Sequence, residues 1–522
     1  MGKTLKGMAG VMAVGVWLAG LECVAQTVPT LNWQFGPCVK RDGNLITVRV
    51  SDDEKKGDHF ATAKVDIRQC VGKELNISMK MTGKGVGKPE LSWECPKLQL
   101  NFRDHLADEM HYPQAAVPEG DFSGVYTAFV PLYGMEADEA ELMLGLQNNF
   151  GEVTYDLSTL KFESSCRRFP QVNKDYRVSY SGPVATWPQL KGFLVNAPTV
   201  SETDLADIRA WGGTLIRFGL VKYAQVLTYP EDGTPPPELV AGMMRLKNTV
   251  MPACRKLGIK ICVDGYWKYP ADLWKNAKTF KTYVSIWQWI ASELKGCEDV
   301  IYGYDIINEP NQQVDSDWGY WGLQARCAQA IREIDPVTPI VIESNESDVP
   351  RAFRYLCPLK MDNVIYEVHM YDPITFTHQY LFKHANKTVA YPNAKEKWDI
   401  AYLKKVLDPV RQFQKKHGCR IFVGEFSAAV WAPGGDEYIR DVTAIFNEYG
   451  WDWTYHAFRE ANCWSAEHVA TSKEKVAKAE GDTPRKLILQ RALRQGLPAV
   501  DGKSKEEGGN RFVRWFKRMI HK

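Results

Sequence analysis

Ile301-Tyr302-Gly303-Tyr304-Asp305-Ile306-Ile307-Asn308-Glu309-Pro310 is a short apolar run that stops at a proline-marked turn carrying an asparagine and a glutamate. Beyond it, Trp321 to Ile334 repeats apolar residues at helical spacing, with Leu323, Cys327, Ala330 and Ile334 on one face. An apolar run of strand length followed by an amphipathic helix is one βα unit. The same texture continues upstream: Gly192–Asn196 before a helix over Glu202–Trp211, Thr214–Phe218 before Pro237–Leu257, and Ile259–Asp264 before Phe280–Leu294. Downstream, Pro339–Glu343 and Val364–His369 are strands, followed by helical Trp398–Lys416. Ile421–Gly424, Glu437–Tyr449, Trp453–Phe458 and Arg485–Gly496 complete the series. Eight units over residues 176–498 predict an α/β fold, a (β/α)8 TIM barrel. A doubly wound sheet is the alternative, and eight units in one run favour closure.

Residues 27–170 have another texture. Leu45–Val50, Leu75–Met81, Leu98–Phe102, Tyr126–Pro131 and Leu142–Leu146 alternate apolar and polar residues between Gly, Asp and Pro. Period two at regular spacing predicts an all-β sandwich of jelly-roll type. Gly83-Lys84-Gly85-Val86-Gly87 lacks the spacing of a dinucleotide fingerprint and reads as a turn. This domain is expected either to bind carbohydrate, through Trp33 and Trp93, or to buttress the barrel.

The ends are distinct. Lys3, Lys6, the uncharged stretch Met8–Leu21 and small residues at Cys23-Val24-Ala25 read as an export signal over residues 1–25, cleaved after Ala25. That makes the expected location secreted, extracellular or periplasmic. Residues 499–522 read as a polar linker and a basic amphipathic tail, with Phe512, Trp515, Phe516, Met519 and Ile520 at helical spacing. Docking on the protein's own surface is favoured for this tail over contact with a membrane. Four cysteines, Cys38, Cys70, Cys95 and Cys166, lie where two disulfides could form in an oxidising compartment. There is no Cys-x-x-Cys, which argues against a zinc site.

The chain has 65 Lys and Arg against 63 Asp and Glu, so nucleic acid is not an expected partner. No cofactor or metal is implied, and a monomer is expected. Tryptophan is the outlier: there are 17, of which 13 fall between Trp187 and Trp464. The loop residues Trp267, Trp318, Trp321 and Trp431 are candidates to line a binding cleft.

Catalytic side chains of such a barrel lie at the C-terminal ends of the strands. Those ends carry Arg217, Asp264-Gly265-Tyr266, Asn308-Glu309, Glu343-Ser344-Asn345, His369-Met370-Tyr371, Glu425 and His456, with Trp464 in the last loop. Glu309 and Glu425, from strands four and seven, would face each other across the mouth. Paired carboxylates are what glycosidic cleavage requires: one protonates the leaving oxygen, and the other attacks or activates water. Arg217 beside one of them would hold it ionised.

These strand ends also resemble a known family. Ile301–Pro310 is similar to the Asn-Glu-Pro motif of glycoside hydrolase family 5, the cellulase-like family, and Gly424-Glu425-Phe426 resembles its strand-seven motif. Val368-His369-Met370-Tyr371 resembles its His-x-Tyr, and Ile216-Arg217 its strand-two arginine, all in the family's order over roughly residues 190–470. The resemblance implies a retaining double displacement with Glu425 as nucleophile and Glu309 as acid and then base. It implies that Asn308 binds the sugar 2-hydroxyl, that Tyr371 and Arg217 position the nucleophile, and that His369 flanks Glu309. Trp464 would be a sugar platform. The chain departs from the pattern at Tyr266, where the family shows a histidine, and at His456, where a tryptophan is common. Both changes fall in the sugar-binding layer.

The expected function is a secreted endo-β-glycanase acting on β-1,4-glucan. β-Mannan, xyloglucan and β-1,3-glucan are alternatives of the same chemistry, and a catalytically idle glycan-binding protein is the alternative of another class. No Gly-x-Ser-x-Gly elbow or His-Glu-x-x-His motif points to serine or zinc hydrolysis.

Overall fold

The computed structural model describes residues 24–26 and 31–495, apart from residues 72–73, 106–108, 133–134, 166–186, 229, 231–233, 313–315, 317 and 382–384. Most of the expected export signal and all of the basic tail lie outside the described residues, as does Cys166.

The first domain is a sandwich of two antiparallel sheets. Its strands are β1 (Val24–Gln26), β2 (Trp33–Phe35), β3 (Val39–Asp42), β4 (Leu45–Val50), β5 (Asp58–Asp66) and β6 (Glu74–Val86). β7 (Lys97–Asp104), β8 (Glu109–His111), β9 (Gly120–Pro131), β10 (Glu139–Gln147) and β11 (Gly151–Ser165) follow. One sheet runs β3-β4-β11-β6-β9, with β1 also paired to β11; the other runs β2-β5-β10-β7-β8. β1 crosses the expected cleavage point, pairing Val24 with Ser164 and Gln26 with Phe162. Alternation is the cause of the sandwich: Ile46, Val48 and Val50 of β4 point inward to meet Leu98, Leu100, Leu142 and Leu144. The Gly83–Val86 stretch is a strand end rather than a free turn. Gly83 pairs with Phe122, leaving room for that ring, and a bulge follows at Gly85, whose φ is +57°.

The second domain is the closed barrel that the βα pattern predicts. Its parallel strands follow chain order: β12 (Lys191–Val195), β13 (Leu215–Gly219), β14 (Lys260–Asp264), β15 (Ile301–Asp305), β16 (Ile340–Glu343), β17 (Val364–Met370), β18 (Arg420–Phe426) and β19 (Asp452–Phe458). Outward-facing residues such as Ile216, Val263, Ile342, Val368 and Val423 pack under the helices in one continuous core. Trp287, on the helix Ala277–Leu294, belongs there and donates its indole N–H to the Ile306 carbonyl at 2.9 Å.

Inside the barrel the side chains stack in layers. The floor is Leu215, Cys262, Tyr302, Val341, Ile365 and Phe422, with Leu190 below. Two residues further along four strands stand Arg217, Asp264, Glu343 and Glu367, all fully buried. β15 and β18 each interrupt the register, between Ile261 and Cys262 and between Val368 and His369. Asp305 and Glu425 therefore come three residues after the floor residues Tyr302 and Phe422. The sandwich reaches the barrel through Asp104, which pairs with Arg354 at 2.8 Å, and through Phe129, packed on the barrel core.

No disulfide forms among the described residues. Cys70 and Cys95 are buried in the sandwich, and burial raises the Cys254 and Cys327 thiols of the barrel far above their usual range. No helix among the described residues is long and apolar enough to cross a membrane.

Candidate active site

The site is built around Arg217, which β13 projects into the barrel at zero exposure. Its guanidinium donates to Glu425 Oε1 at 2.8 Å, Asp305 Oδ2 at 2.7 Å, Asn308 Oδ1 at 3.0 Å and Glu343 Oε1 at 3.0 Å. Glu367 Oε1 lies 3.1 Å from Nε, and Asp264 Oδ2 lies 3.3 Å from Nη2. Five carboxylates thus surround one fixed cation. Such a group cannot remain wholly ionised in a dry interior. Burial lifts the pKa of Asp264, Glu343 and Glu367 well above the carboxylate range, and neighbouring carboxylates add to the lift.

Glu425 behaves oppositely. Burial pushes its pKa up, but His456, His369 and Arg217 outweigh burial and hold it well below the usual range. The Tyr371 hydroxyl donates to Glu425 Oε2 at 2.8 Å, while His456 Nδ1 lies 3.2 Å from that oxygen. An ionised carboxylate is therefore clamped through both oxygens. Arg217 holds Oε1 and Tyr371 holds Oε2.

Glu309 stands on the loop after β15 with its side chain 28% exposed, so it reaches the open mouth. Its φ is +49°, a left-handed conformation that costs a non-glycine residue about 1–3 kcal/mol. Glu343 Oε2 accepts the Glu309 backbone N–H at 2.6 Å and secures that turn. His369 Nδ1 lies 2.9 Å from Glu309 Oε1, and Glu367 Oε1 lies 3.3 Å from Nε2 of the same ring. An oxygen of Glu309 and an oxygen of Glu425 are within 4.8 Å of each other. Two donor sets, Glu309–His369–Glu425 and Glu343–Glu367–His369, are close enough to gather around a cation. Their atoms are already engaged with one another and with Arg217 in the network just described.

The remaining candidates divide into lining and backing. Asn308 is 9% exposed, and its side-chain oxygen is fixed by Arg217. Tyr266 is 6% exposed and lies over the guanidinium, 5.6 Å from its ring centroid; Gly219 leaves the space for it. His456 bridges Glu425 and Glu460. Trp464 packs against His378, His456 and Tyr371 with 7% exposed, so it supports the site and has little face left for a sugar.

Of the four loop tryptophans expected beside the site, one is buried and three are half-buried. Trp267 is buried against Tyr283 and Trp287. Trp318, Trp321 and Trp431 are half-buried, their indole N–H groups donating to the carbonyls of Leu273, Cys357 and Gln379. They pin loops together. An exposed aromatic beside the site is Tyr223 instead, 4.8 Å from the Tyr266 ring; burial of its hydroxyl and nearby Glu309 and Glu425 raise its pKa to about 12.

Asp305, Glu367, Tyr223 and Glu460 are site residues that strand-end reading passes over. The available signal is inward alternation: Glu367 sits two places before His369 inside an otherwise apolar strand, and only an interior partner explains a charge there. Gly424 belongs to the same arrangement, since a Cβ at that position would lie 1.4 Å from Glu367 Oε1.

Residues 178–462 match the model of the family described as Cellulase (glycosyl hydrolase family 5). Endoglucanase C of Acetivibrio thermocellus is 26% identical over 216 residues, covering 35% of this chain and 62% of that protein. The chain thus spans less than two thirds of that relative's length. Cellodextrinase A of Ruminococcus flavefaciens is 23% identical over 269 residues, covering 48% of this chain and 76% of that protein. Among solved structures, an endoglucanase aligns at TM-score 0.48 and 18% identity, covering 58% of this chain and 96% of its own. With residues 178–462, more than half of its length, matched by the family model, the chain belongs to the cellulase family, glycosyl hydrolase family 5.

Proposed function

We propose that the protein is a retaining endo-β-glycanase that hydrolyses β-1,4-glucan by double displacement. The observation that carries this reading is the pair Glu309 and Glu425, with oxygens within 4.8 Å across the barrel mouth and Glu425 held ionised. Retention needs carboxyl groups about 5 Å apart, whereas inversion needs about 6.5–9.5 Å to admit water. In the first step Glu425 attacks the anomeric carbon while Glu309 gives its proton to the departing glycosidic oxygen. In the second, Glu309 takes a proton from water, which releases the sugar from Glu425. Arg217 and Tyr371 hold the attacking carboxylate, and in this reading Asn308 meets the 2-hydroxyl of the sugar.

The N-terminal sequence supports export of the chain. Packing of Trp33 against the sandwich core favours a buttress over a sugar-binding face for the first domain.

The test is a reducing-sugar assay over purified β-1,4-glucan, β-mannan, xyloglucan and β-1,3-glucan, with product anomers followed by NMR. Release from β-1,4-glucan with a β-anomer formed first is expected. An α-anomer formed first refutes retention, preferential release from another polymer reassigns the substrate, and binding without turnover of any polymer refutes the enzyme reading.

A further inference from the structure

From the barrel centre outward, Glu425, His456 and Glu460 form a row. His456 Nδ1 lies 3.2 Å from Glu425 Oε2 and 2.6 Å from the Tyr371 hydroxyl, and Nε2 lies 3.2 Å from Glu460 Oε2. A neutral imidazole has one N–H and one lone pair, so it can donate toward only one of these carboxylates; an imidazolium donates toward both. We infer that Glu460 is a positioning residue of the reaction: by holding Nε2 of His456 it keeps a cation against Glu425 and so fixes the orientation and charge of the attacking carboxylate. The inference rests on Glu425 being the nucleophile.

The surroundings support it. His456 is faced by Glu425 from β18, Tyr371 from β17, Glu460 from its own loop and the Trp464 ring 5.9 Å away. Burial alone would strip the ring of its proton, but Glu425 and Glu460 outweigh burial and raise its pKa to about 10. The loop carrying Glu460 is itself anchored. Its neighbour Arg459 pairs with Glu467 at 2.7 Å, Asp204 at 2.7 Å and Asp207 at 2.8 Å, tying the loop to the helix Glu202–Trp211. An imidazole pinned at both nitrogens serves Glu425 rather than stacking on a sugar.

The sign of the effect follows. Removing the Glu460 charge lowers the proton affinity of His456, so the imidazolium is lost at lower pH. An activated aryl β-cellobioside, whose leaving group needs no proton, takes Glu309 out of the first step. The pH profile of kcat/KM then reports Glu425 on its acid limb and His456 on its alkaline limb. For Glu460→Gln the alkaline limb is expected to move down by about one pH unit, with kcat/KM at high pH about tenfold lower. Glu460→Asp should recover part of the shift.

Titrating the His456 ring nitrogens by NMR gives the same answer without substrate, so the choice of sugar cannot mask it. An unmoved limb and an unmoved ring titration overturn the inference, whatever happens to the rate. A raised KM with the limb in place would instead put Glu460 in contact with the sugar. If Glu425→Ala stays active, it is the nucleophile reading that fails, and the ring titration still measures the contact with Glu460.

Discussion

The barrel floor and the layer above it are built from the same strands, about two residues apart, and they could hardly differ more. Leu215, Cys262, Tyr302, Val341, Ile365 and Phe422 fill the floor as an apolar plug. Immediately above, Arg217, Asp264, Glu343 and Glu367 bury charge at zero exposure. A floor residue stabilises by area removed from water and by filling volume. A residue of the upper layer is held by partners and is costly without them. Position along a strand therefore separates stability from chemistry more sharply than residue burial does.

The contrast can be broken in four ways, starting with the largest effect. Glu425→Ala removes the proposed nucleophile, and kcat on the best polysaccharide is expected to fall about 10^4-fold or more while thermal unfolding shows a folded protein. A loss below about tenfold would refute covalent catalysis by this residue. Arg217→Leu leaves five carboxylates around an apolar side chain, with an expected loss of about 3–5 kcal/mol in denaturant unfolding as well as of activity.

Glu367→Gln tests the protonated upper layer. The Glu367 pKa is raised by folding, so the native state binds the extra proton, and wild-type stability falls as pH rises from about 4.3 toward the folded value. The slope, about 1.4 kcal/mol per pH unit for one group, should flatten in the variant when unfolding is followed against pH. Smallest of all, Ile365→Val in the floor should cost about 1 kcal/mol in stability and leave kcat unchanged. If it lowers kcat, the two layers are not functionally distinct.

Much of this was readable from residues alone, for specific reasons. Strand-then-helix texture around Asn308-Glu309-Pro310 repeats with little irregularity, so strand ends could be counted and Arg217, Glu309, His369, Tyr371 and Glu425 placed at the mouth. Glu367 escaped because it lies inside β17, three residues before its end, and Asp305 because strand four was read as ending at Asn308, three residues past the point where β15 stops; register shifts in β15 and β18 also break simple alternation. Tryptophan abundance misled for a different reason. An indole buries a large apolar body yet needs one hydrogen-bond acceptor. The loops of Trp318, Trp321 and Trp431 supply backbone carbonyls, which make fasteners of these half-buried rings. Cysteine spacing carries no distances, so the connectivity of Cys38, Cys70, Cys95 and Cys166 stays open in sequence.

The missing side chain at Gly424 has an evolutionary consequence. Because a Cβ there would collide with the Glu367 carboxylate, neither position can drift alone: alanine at 424 is admissible only once residue 367 has shortened. The glycine beside Glu425 thus records, in a neighbouring strand, the presence of a fully buried carboxylate. The two sites form an epistatic pair, to be read together wherever this motif recurs.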